Sequence, residues 1–362
     1  MRKNILLVAG YEYKHGRTNM ALLCKKRANA ILHKHNSWQN DSNVSFTLFD
    51  VKNGAIERGA LNNGNIQWNV VSSNFDAINR SIHYTSDDKF IQQQTNVLSI
   101  TDVYQHIQEI GKNHPNTIRE LSIVGHGWRG GPVLVNSYER SAYKHTGSIP
   151  RLRDPWDKDG RKKDTNVTNM NTSEWRNFKN AFHNQAHIWV WGCASSRIYK
   201  TVINKVLLSS EFRRKRYGSH NNDDTFTLSF SNQFANTYFE KDTLFFFRSR
   251  NNQTISERRF TRTLREIKDF LIRGLCHTYA AQMAYNTKIK VYAALPGTGA
   301  DYDRETHSRR RVMVVPTSSQ VYGYSYASII RFYKTYIETQ EDTENKGYAL
   351  FNPQQIRIWK RG

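Results

Sequence analysis

The sequence places a histidine and a cysteine directly after two apolar segments, each bordered by glycine. Residues 121–128 read LSIVGHGW, which puts His126 at the end of one segment, and residues 188–195 read IWVWGCAS, which puts Cys193 at the end of another. A cysteine thiol is a weak nucleophile until it loses its proton, and a nearby imidazole can take that proton or stabilise the thiolate. The pair therefore indicates nucleophilic catalysis, with Cys193 as nucleophile and His126 as general base.

This chemistry requires the two apolar segments to be neighbouring strands of one parallel sheet. The carboxyl ends of parallel strands meet at one edge of an α/β sheet, and neighbouring strands lie about 4.8 Å apart. The amides of Gly127 and Cys193 would then be placed to hold an oxyanion, and the flanking glycines would let a substrate backbone approach closely. The alternative is a small core cysteine and a turn histidine, and the two motifs alone leave it open.

Strand-like and helix-like segments alternate along the chain, which is typical of a doubly wound α/β sheet. The pattern predicts strands at residues 4–10, 44–50, 119–125, 186–192, 289–295 and 311–315. It predicts helices at about residues 18–33, 101–110, 173–184, 196–212, 256–286 and 326–339. Hairpins are predicted at 132–137 and between 225–230 and 243–247.

The same pattern predicts one domain rather than two separable halves. We expect an α/β domain over residues 1–320, interrupted by insertions at about 52–97, 130–172 and 213–255. The first insertion is rich in Asn, Ser and Gln and shows no clear periodicity, so it is predicted to be irregular. Residues 321–362 are predicted to form a C-terminal helix and tail that pack on the same domain.

The composition indicates a folded and strongly basic protein. Of the 362 residues, 38% are hydrophobic and 12% are aromatic, which excludes a disordered chain, and the formal net charge is +22. Such a charge attracts nucleic acid, anionic membrane or an acidic protein. The basic residues are scattered along the chain, as they are on an ordinary solvated surface.

The cysteines and the apolar runs indicate where the protein works. Cys24, Cys193 and Cys276 are odd in number and far apart, which argues against a disulfide framework and against a cysteine-built zinc site. The apolar stretch at residues 5–9 is too short for a signal peptide, and no run of about 18 apolar residues occurs. These features predict a soluble, cytoplasmic protein with no membrane span.

The motifs IVGHG at 123–127 and VWGC at 190–193 resemble those of the caspase-like cysteine peptidases, which include caspases, metacaspases, gingipains, clostripain and separase. In that family an apolar strand ending in His-Gly precedes another that ends in the nucleophilic cysteine. The resemblance implies His126 as general base, Cys193 as nucleophile and Gly127 as an oxyanion-hole donor. It implies a three-layer α/β sandwich with a mostly parallel sheet of about six strands and helices on both faces. The implied activity is that of a cysteine endopeptidase acting through a thioester acyl-enzyme, with no cofactor.

The sequence departs from the family pattern at two points. Members that cleave after Arg or Lys commonly carry an Asp two residues before the nucleophile, where this chain has Trp191. A basic-residue specificity is therefore not inherited from the motif. His126 and Cys193 are 67 positions apart, which is more than is usual in the family, and residues 130–172 account for the excess.

The substrate-binding candidates predict opposite specificities. Trp128 and Trp191 border the catalytic pair, and a Gly-rich turn at 294–303 (ALPGTGADYD) offers Asp301 and Asp303 to a basic substrate side chain. Arg17, beyond the first strand, would instead contact an acidic group. The sequence does not choose between these two alternatives.

Three further alternatives remain at the level of sequence. Residues 154–160 (DPWDKDG) resemble part of a calcium loop, but Asn166 stands where the loop would need an acid, so calcium is weakly supported. The basic run at 213–216 could be a processing site or a solvated turn. The alternative function is a caspase-like scaffold without peptidase activity that binds nucleic acid or an acidic partner through its basic surface.

Overall fold

The fold is described from a computed structural model. The description covers residues 2–12, 18–78, 96–137, 143–146, 149–153, 157–166, 169–231, 233–234, 238, 259–301, 315, 320–321 and 324–361. Residues 311–314 of the sixth predicted strand, the 243–247 half of a predicted hairpin, the basic side chain of Arg17 and the carboxylate of Asp303 lie outside these ranges.

The described strands are short, and most of them belong to one sheet. They are β1 (Lys3–Ala9), β2 (Val44–Asp50), β3 (Ala55–Asn62), β4 (Asn65–Ser72), β5 (Ile118–Val124), β6 (His126–Trp128), β7 (Gly131–Val133), β8 (Tyr143–Thr146), β9 (Ile149–Arg153), β10 (Phe182–Trp191), β11 (Thr225–Ser229), β12 (Arg259–Thr263), β13 (Lys290–Ala293), β14 (Gln320–Val321), β15 (Tyr324–Ser325), β16 (Gln340–Glu341) and β17 (Ala349–Phe351).

The described helices lie mainly between the strands of that sheet. They are α1 (Met20–Lys34), α2 (Ile100–Asn113), α3 (Thr172–Asn180), α4 (Arg197–Leu208), α5 (Ser210–Arg213), α6 (Leu264–Cys276), α7 (Tyr279–Thr287), α8 (Tyr326–Phe332) and α9 (Pro353–Trp359). A 3₁₀ turn at Asn36–Trp38 and a π-helical turn at Tyr333–Ile337 complete them. In the described part of the chain, no helix combines the length and apolar character needed to cross a bilayer.

The central sheet has nine strands in the order β16-β17-β13-β10-β5-β1-β2-β3-β4. Its five middle strands, from β13 to β2, pair in parallel, whereas two antiparallel strands lie at each edge. This confirms the predicted α/β sheet with a parallel centre. The predicted count of about six strands was too low, because the antiparallel edge strands were not recognised.

Helices cover both faces of the sheet, as predicted. Side chains of β1 alternate: Ile5, Leu7 and Ala9 pack with buried residues of α1 on one face. Leu6 and Val8 join a larger apolar cluster on the other face, which also contains buried residues of α2, α4, α6 and α7. The continuous apolar sequence of β1 therefore reflects burial on both sides.

The segment predicted to be irregular at 52–97 in fact begins with a β-hairpin. Strands β3 and β4 pair antiparallel and are joined by Asn63 and Gly64, whose φ angles are +49° and +76°. Two consecutive positive φ angles characterise the hairpin turn that Asn-Gly favours. This dipeptide was the signal that the prediction missed.

The long helix predicted at 256–286 was also wrong in part. Residues 259–263 form strand β12, which pairs with β11, and Thr263 then caps α6 through a capping box with Glu266. Thr278 caps a second helix, α7. The two threonines satisfy backbone donors at new helix starts, so the helical periodicity belongs to two helices rather than one.

A buried ion cluster fixes α1 to the sheet. The guanidinium of Arg27, on α1, donates to both carboxylate oxygens of Glu120, on β5, at 2.7 and 2.8 Å, and also donates to Glu344 at 2.7 Å. His187 on β10 contacts Glu120 at 2.9 Å. Burial alone would raise the pKa of the Glu120 carboxyl, but Arg27 and His187 outweigh it and hold that pKa well below its usual range.

Glu120→Gln should lower the free energy of unfolding by about 3 kcal/mol, because it removes one of two carboxylates that neutralise a buried guanidinium. Urea unfolding measures the change. Glu109→Gln, on the exposed side of α2, is the matched control and should change stability by less than about 0.5 kcal/mol. Equal effects of both substitutions would contradict a stabilising role for this cluster.

The same carboxylate should make stability depend on pH. Because the folded-state pKa of Glu120 lies below its unfolded value, the stabilisation is fully present above about pH 5 and is lost as the pH falls through the folded-state pKa. The difference in unfolding free energy between the wild type and Glu120→Gln should therefore begin to shrink below about pH 5 and should still be shrinking at about pH 3.

Candidate active site

The strand order creates a switch point next to β5. From β1 the chain passes to β2 on one side, and β5, β10 and β13 then follow on the other side. Crevices at such switch points, beyond the carboxyl ends of the strands, are where open α/β sheets bind ligands. Glu12 follows β1, His126 follows β5 and Cys193 follows β10 at this edge.

The pairing of β5 with β10 places His126 opposite Cys193. Val124 pairs with Trp191 at the end of the ladder, and an isolated parallel bridge joins Trp128 to Ser195. Both pairs have an offset of 67 residues, which is also the separation of His126 and Cys193. The register of the β5–β10 pairing therefore extends past the last paired strand residues and through both motifs, as the prediction required.

Two glycines allow the strand ends to stay this close. A Cβ atom on Gly127 would lie 2.7 Å from the carbonyl oxygen of Cys193, and one on Gly192 would lie 2.9 Å from the carbonyl oxygen of Gly125. Both contacts are with backbone, which cannot move aside as a flexible side chain can. The glycines were expected to let a substrate backbone approach closely. In the structure they let the backbone of the neighbouring strand approach closely.

The backbone of Gly127 is not hydrogen-bonded to its hairpin partner. Strands β6 and β7 form a hairpin in which Gly127 lies opposite Pro132, between two flanking pairs. The carbonyl of Pro132 accepts a hydrogen bond from Gly160 at 2.9 Å and so points away from β6. Alternation along antiparallel strands makes the Gly127–Pro132 pair the non-hydrogen-bonded kind. Because β6 begins at His126, the hairpin spans residues 126–133, earlier in the chain than the hairpin predicted at 132–137.

His126 contacts a carboxylate that the sequence prediction missed. Its Nε2 atom lies 2.8 Å from Oε1 of Glu12, and the two side chains are 18% and 7% exposed. A carboxylate beside an imidazole orients the ring and stabilises its protonated form. The signal in the sequence was an acid three residues after the end of the first buried strand, at the edge where the other two groups also lie.

The excess residues between the two motifs support the loop that carries Glu12. A carboxylate oxygen of Asp159 accepts hydrogen bonds from the backbone of three consecutive residues, 134–136, at 2.7, 2.7 and 3.2 Å. The carbonyl of Leu134 in turn accepts a hydrogen bond from the amide of Tyr11 at 2.6 Å. Asp159 thus holds the segment against which Glu12 is positioned.

The residues resembling a calcium loop have protein partners in this structure. Arg161 donates to Asp157 at 2.6 Å, and burial raises the pKa of Asp159 to about 6, against the opposing effect of Arg161. Asp154 lies outside the described residues. Among the residues the structure describes, no group of three or more His, Cys, Asp or Glu side chains has the arrangement of a metal site.

Cys193 differs from the other two cysteines in exposure. Its Sγ atom is half-buried and accepts a hydrogen bond from the amide of Ala300 at 3.2 Å. Cys24 is buried, and burial together with Asp50 raises its thiol pKa well above the usual value. Burial also raises the pKa of the Cys276 thiol, to about 11. Of the three cysteines, Cys193 is the one that is partly exposed.

The Gly-rich turn after β13 lies beside Cys193. The carbonyl of Thr298 accepts a hydrogen bond from the amide of Ala194 at 3.2 Å, and the amide of Gly297 donates to the carbonyl of Ala194 at 3.0 Å. A pocket of about 420 Å³ opens there, lined by residues 195–204, by this turn and by Tyr326. Asp301, at the end of the turn, is exposed.

The two tryptophans proposed to contact substrate have different positions. Trp191 is 1% exposed, donates a hydrogen bond to Ser122 and stacks on Trp189 at 4.3 Å. It is a core residue with no surface to offer a substrate, because its side chain points into the sheet's face rather than past its end. Trp128 is half-buried, and its ring covers Gly130 of its own hairpin.

No protein-family model matches the sequence, and no curated protein matches it. Among solved structures, the chain is similar to a secreted C11 cysteine protease from Bacteroides thetaiotaomicron in complex with an irreversible peptide inhibitor. The sequence identity is 13%, the TM-score is 0.26, and the likeness covers 63% of this chain and 49% of that one. The chain therefore matches about half the length of that protease. A likeness this remote carries no argument about the chemistry, which rests on the residues described above.

Glu12→Gln should slow the alkylation of Cys193 by iodoacetamide at neutral pH by about tenfold, because His126 loses the carboxylate that orients its ring. The alkylation rate at one fixed pH measures this. Glu341→Gln, at an exposed ion pair with Lys334, is the control. An unchanged rate in Glu12→Gln would show that Glu12 does not belong to the site.

Proposed function

We propose that this protein is a cysteine peptidase of the caspase-like type. The observation that carries the proposal is the register of β5 and β10, which sets His126 opposite Cys193 at the carboxyl edge of the sheet. The carboxylate of Glu12 on His126 and the partial exposure of Cys193 support it. The motif resemblance gives the family, and the parallel sheet with helices on both faces is consistent with it.

The reaction begins with the transfer of the Cys193 proton to His126. Because Nε2 faces Glu12, the nitrogen that exchanges the proton is Nδ1. The sulfur then attacks the peptide carbonyl, and the amides of Gly127 and Cys193 donate to the developing oxyanion. Collapse of this intermediate breaks the C–N bond, and His126 gives its proton to the departing amine. The acyl group remains on Cys193 as a thioester.

Hydrolysis of the thioester returns the enzyme to its starting state. His126 accepts a proton from a water molecule, whose oxygen attacks the thioester carbonyl. The second tetrahedral intermediate collapses, the C–S bond breaks, and the sulfur recovers the proton through His126. The carboxylate of Glu12 stabilises the imidazolium that forms twice in the cycle.

Cys193→Ala and His126→Ala should each abolish cleavage of a peptide library, because the first removes the nucleophile and the second removes its base. The readout is mass spectrometry of the products, together with labelling by peptide electrophiles. Cys24→Ala and Cys276→Ala are the matched controls and should retain cleavage. Cleavage by the Cys193→Ala protein would overturn the proposal.

The same labelling experiment distinguishes a peptidase from the alternative function, a scaffold that binds an acidic partner. A scaffold without peptidase activity would leave Cys193 unlabelled by every peptide electrophile. If it bound nucleic acid through its net charge of +22, its affinity would fall steeply with salt concentration. Those two results together would replace the peptidase proposal.

The pocket beside Cys193 favours a substrate with an acidic side chain. Two cationic residues, Arg197 and Lys200, line it on α4, and Ser195 connects it to the nucleophile. Burial lowers the pKa of Lys200, whose ammonium lies 5.2 Å from the ring centre of Tyr326. Asp301 is exposed and does not line this pocket. Between the two specificities left open by the sequence, we therefore propose the acidic one.

Lys200→Gln should slow the cleavage of peptides with Asp or Glu at the residue before the scissile bond by about tenfold, because the charge-assisted contact is lost. Alkylation by iodoacetamide, which has no side chain to place in the pocket, should be unchanged. Lys205→Gln, farther along α4 and outside the pocket lining, is the control. A preference for Arg or Lys in the wild type would contradict the proposed specificity.

A further inference from the structure

We infer that a cleft at the opposite edge of the sheet binds a compact polyphosphate. The cleft has a volume of about 650 Å³ and is formed by three separate parts of the chain, residues 179–186, 287–290 and 352–357. Its size is within the range of small-ligand sites. Nothing in the peptidase reaction uses it.

The cleft lies far from Cys193. It opens at the amino ends of β10 and β13, whereas the catalytic edge is at their carboxyl ends. Nine residues of chain separate Asn184 in the cleft from Cys193, and at about 3.3 Å per strand residue the separation is about 30 Å. A ligand in the cleft would not contact a peptide at the active site.

The charged residues that line the cleft are all basic. They are Lys179, Lys288, Lys290 and Arg357, together with His183, and the lining contains no Asp or Glu. Within the described ranges, none of the four Lys and Arg side chains forms an ion pair. Arg27, Arg161 and Lys215, by contrast, all contact carboxylates. The cleft therefore brings together positive charges that no carboxylate of the described residues neutralises.

The cations are close enough to influence one another. Burial lowers the pKa of Lys288, and the neighbouring charges of Arg357 and Lys179 lower it further. A bound polyanion would relieve this repulsion. Its several phosphate oxygens would accept hydrogen bonds from more than one cation at once.

The shape of the cleft favours a compact ligand over a nucleic-acid duplex. Phe182, Ala186 and Ile289 are buried residues of the cleft lining, and Asn184 and Gln354 add polar side chains to it. A duplex is recognised along an extended basic surface. An inorganic polyphosphate and a nucleoside triphosphate share the phosphate chain that a basic cleft of this size suits.

The test is calorimetric titration of the full-length protein with inorganic tripolyphosphate at about 150 mM salt. We expect saturable binding at one site, weakened about tenfold or more in the double variant Lys290→Gln/Arg357→Gln. Both side chains are exposed, so the variant should fold normally, which its thermal unfolding would check. The absence of saturable binding to the wild type would overturn the proposal.

The control is Arg213→Gln/Arg214→Gln, which removes the same charge from an exposed basic run outside the cleft. Its affinity for tripolyphosphate should stay within about twofold of the wild type. Equal weakening in both double variants would show diffuse electrostatic attraction and overturn the site. Titration with ATP distinguishes an inorganic polyphosphate from a nucleotide. Equal affinity for ATP and tripolyphosphate identifies the polyphosphate chain as the ligand, whereas tighter binding of ATP identifies a nucleotide. Binding of a short DNA duplex in preference to both would also overturn it.

Discussion

The close, in-register pairing of β5 with β10 is the constraint on which the rest of the site depends. The amide of Gly125 still donates to the carbonyl of Trp191 at 3.2 Å, and the Trp128–Ser195 bridge continues the pairing beyond the two motifs. These backbone contacts hold the segment that carries His126 next to the segment that carries Cys193. Glycine at 127 and at 192 is the sequence requirement of this geometry, because a Cβ atom at either position would meet backbone of the other strand.

Buried carboxylates then fix the elements around this pair of strands. At one end of the sheet, Glu120 binds Arg27 and His187 and so ties α1 to β5 and β10. At the other end, Glu12 contacts His126, and Asp159 secures the backbone against which the Glu12 loop rests. Each carboxylate is paired where it is buried, since an isolated buried charge would be strongly unfavourable. The long insertion between the motifs thus has a supporting role.

The two ends of β10 are proposed to serve different ligands. Its carboxyl end carries Cys193 and a pocket with two cations, which suits an acidic substrate residue. Its amino end borders a cleft in which four cations gather without a carboxylate. The net charge of +22, which in the sequence is only a scattered excess, is therefore concentrated by the fold at particular places.

The sequence by itself determined the central strands and supplied the prediction of a catalytic pair. Continuous apolar runs predicted β1, β5 and β10 to within a few residues, because burial on both faces leaves a local signal, and an alternating pattern predicted β2. The chain order and the Gly-bordered motifs singled out His126 and Cys193. An Asn-Gly turn between β3 and β4 was equally local and was missed.

Only the tertiary structure decided which other residues join these two. Glu12 matters because β1 lies next to β5, Trp191 turns out to be a core residue because its side chain faces α1, and the basic cleft assembles from three distant segments. Strand order and side-chain direction at a strand's end follow from packing over the whole sheet. Local periodicity carries information about the nearest few residues and none about that packing.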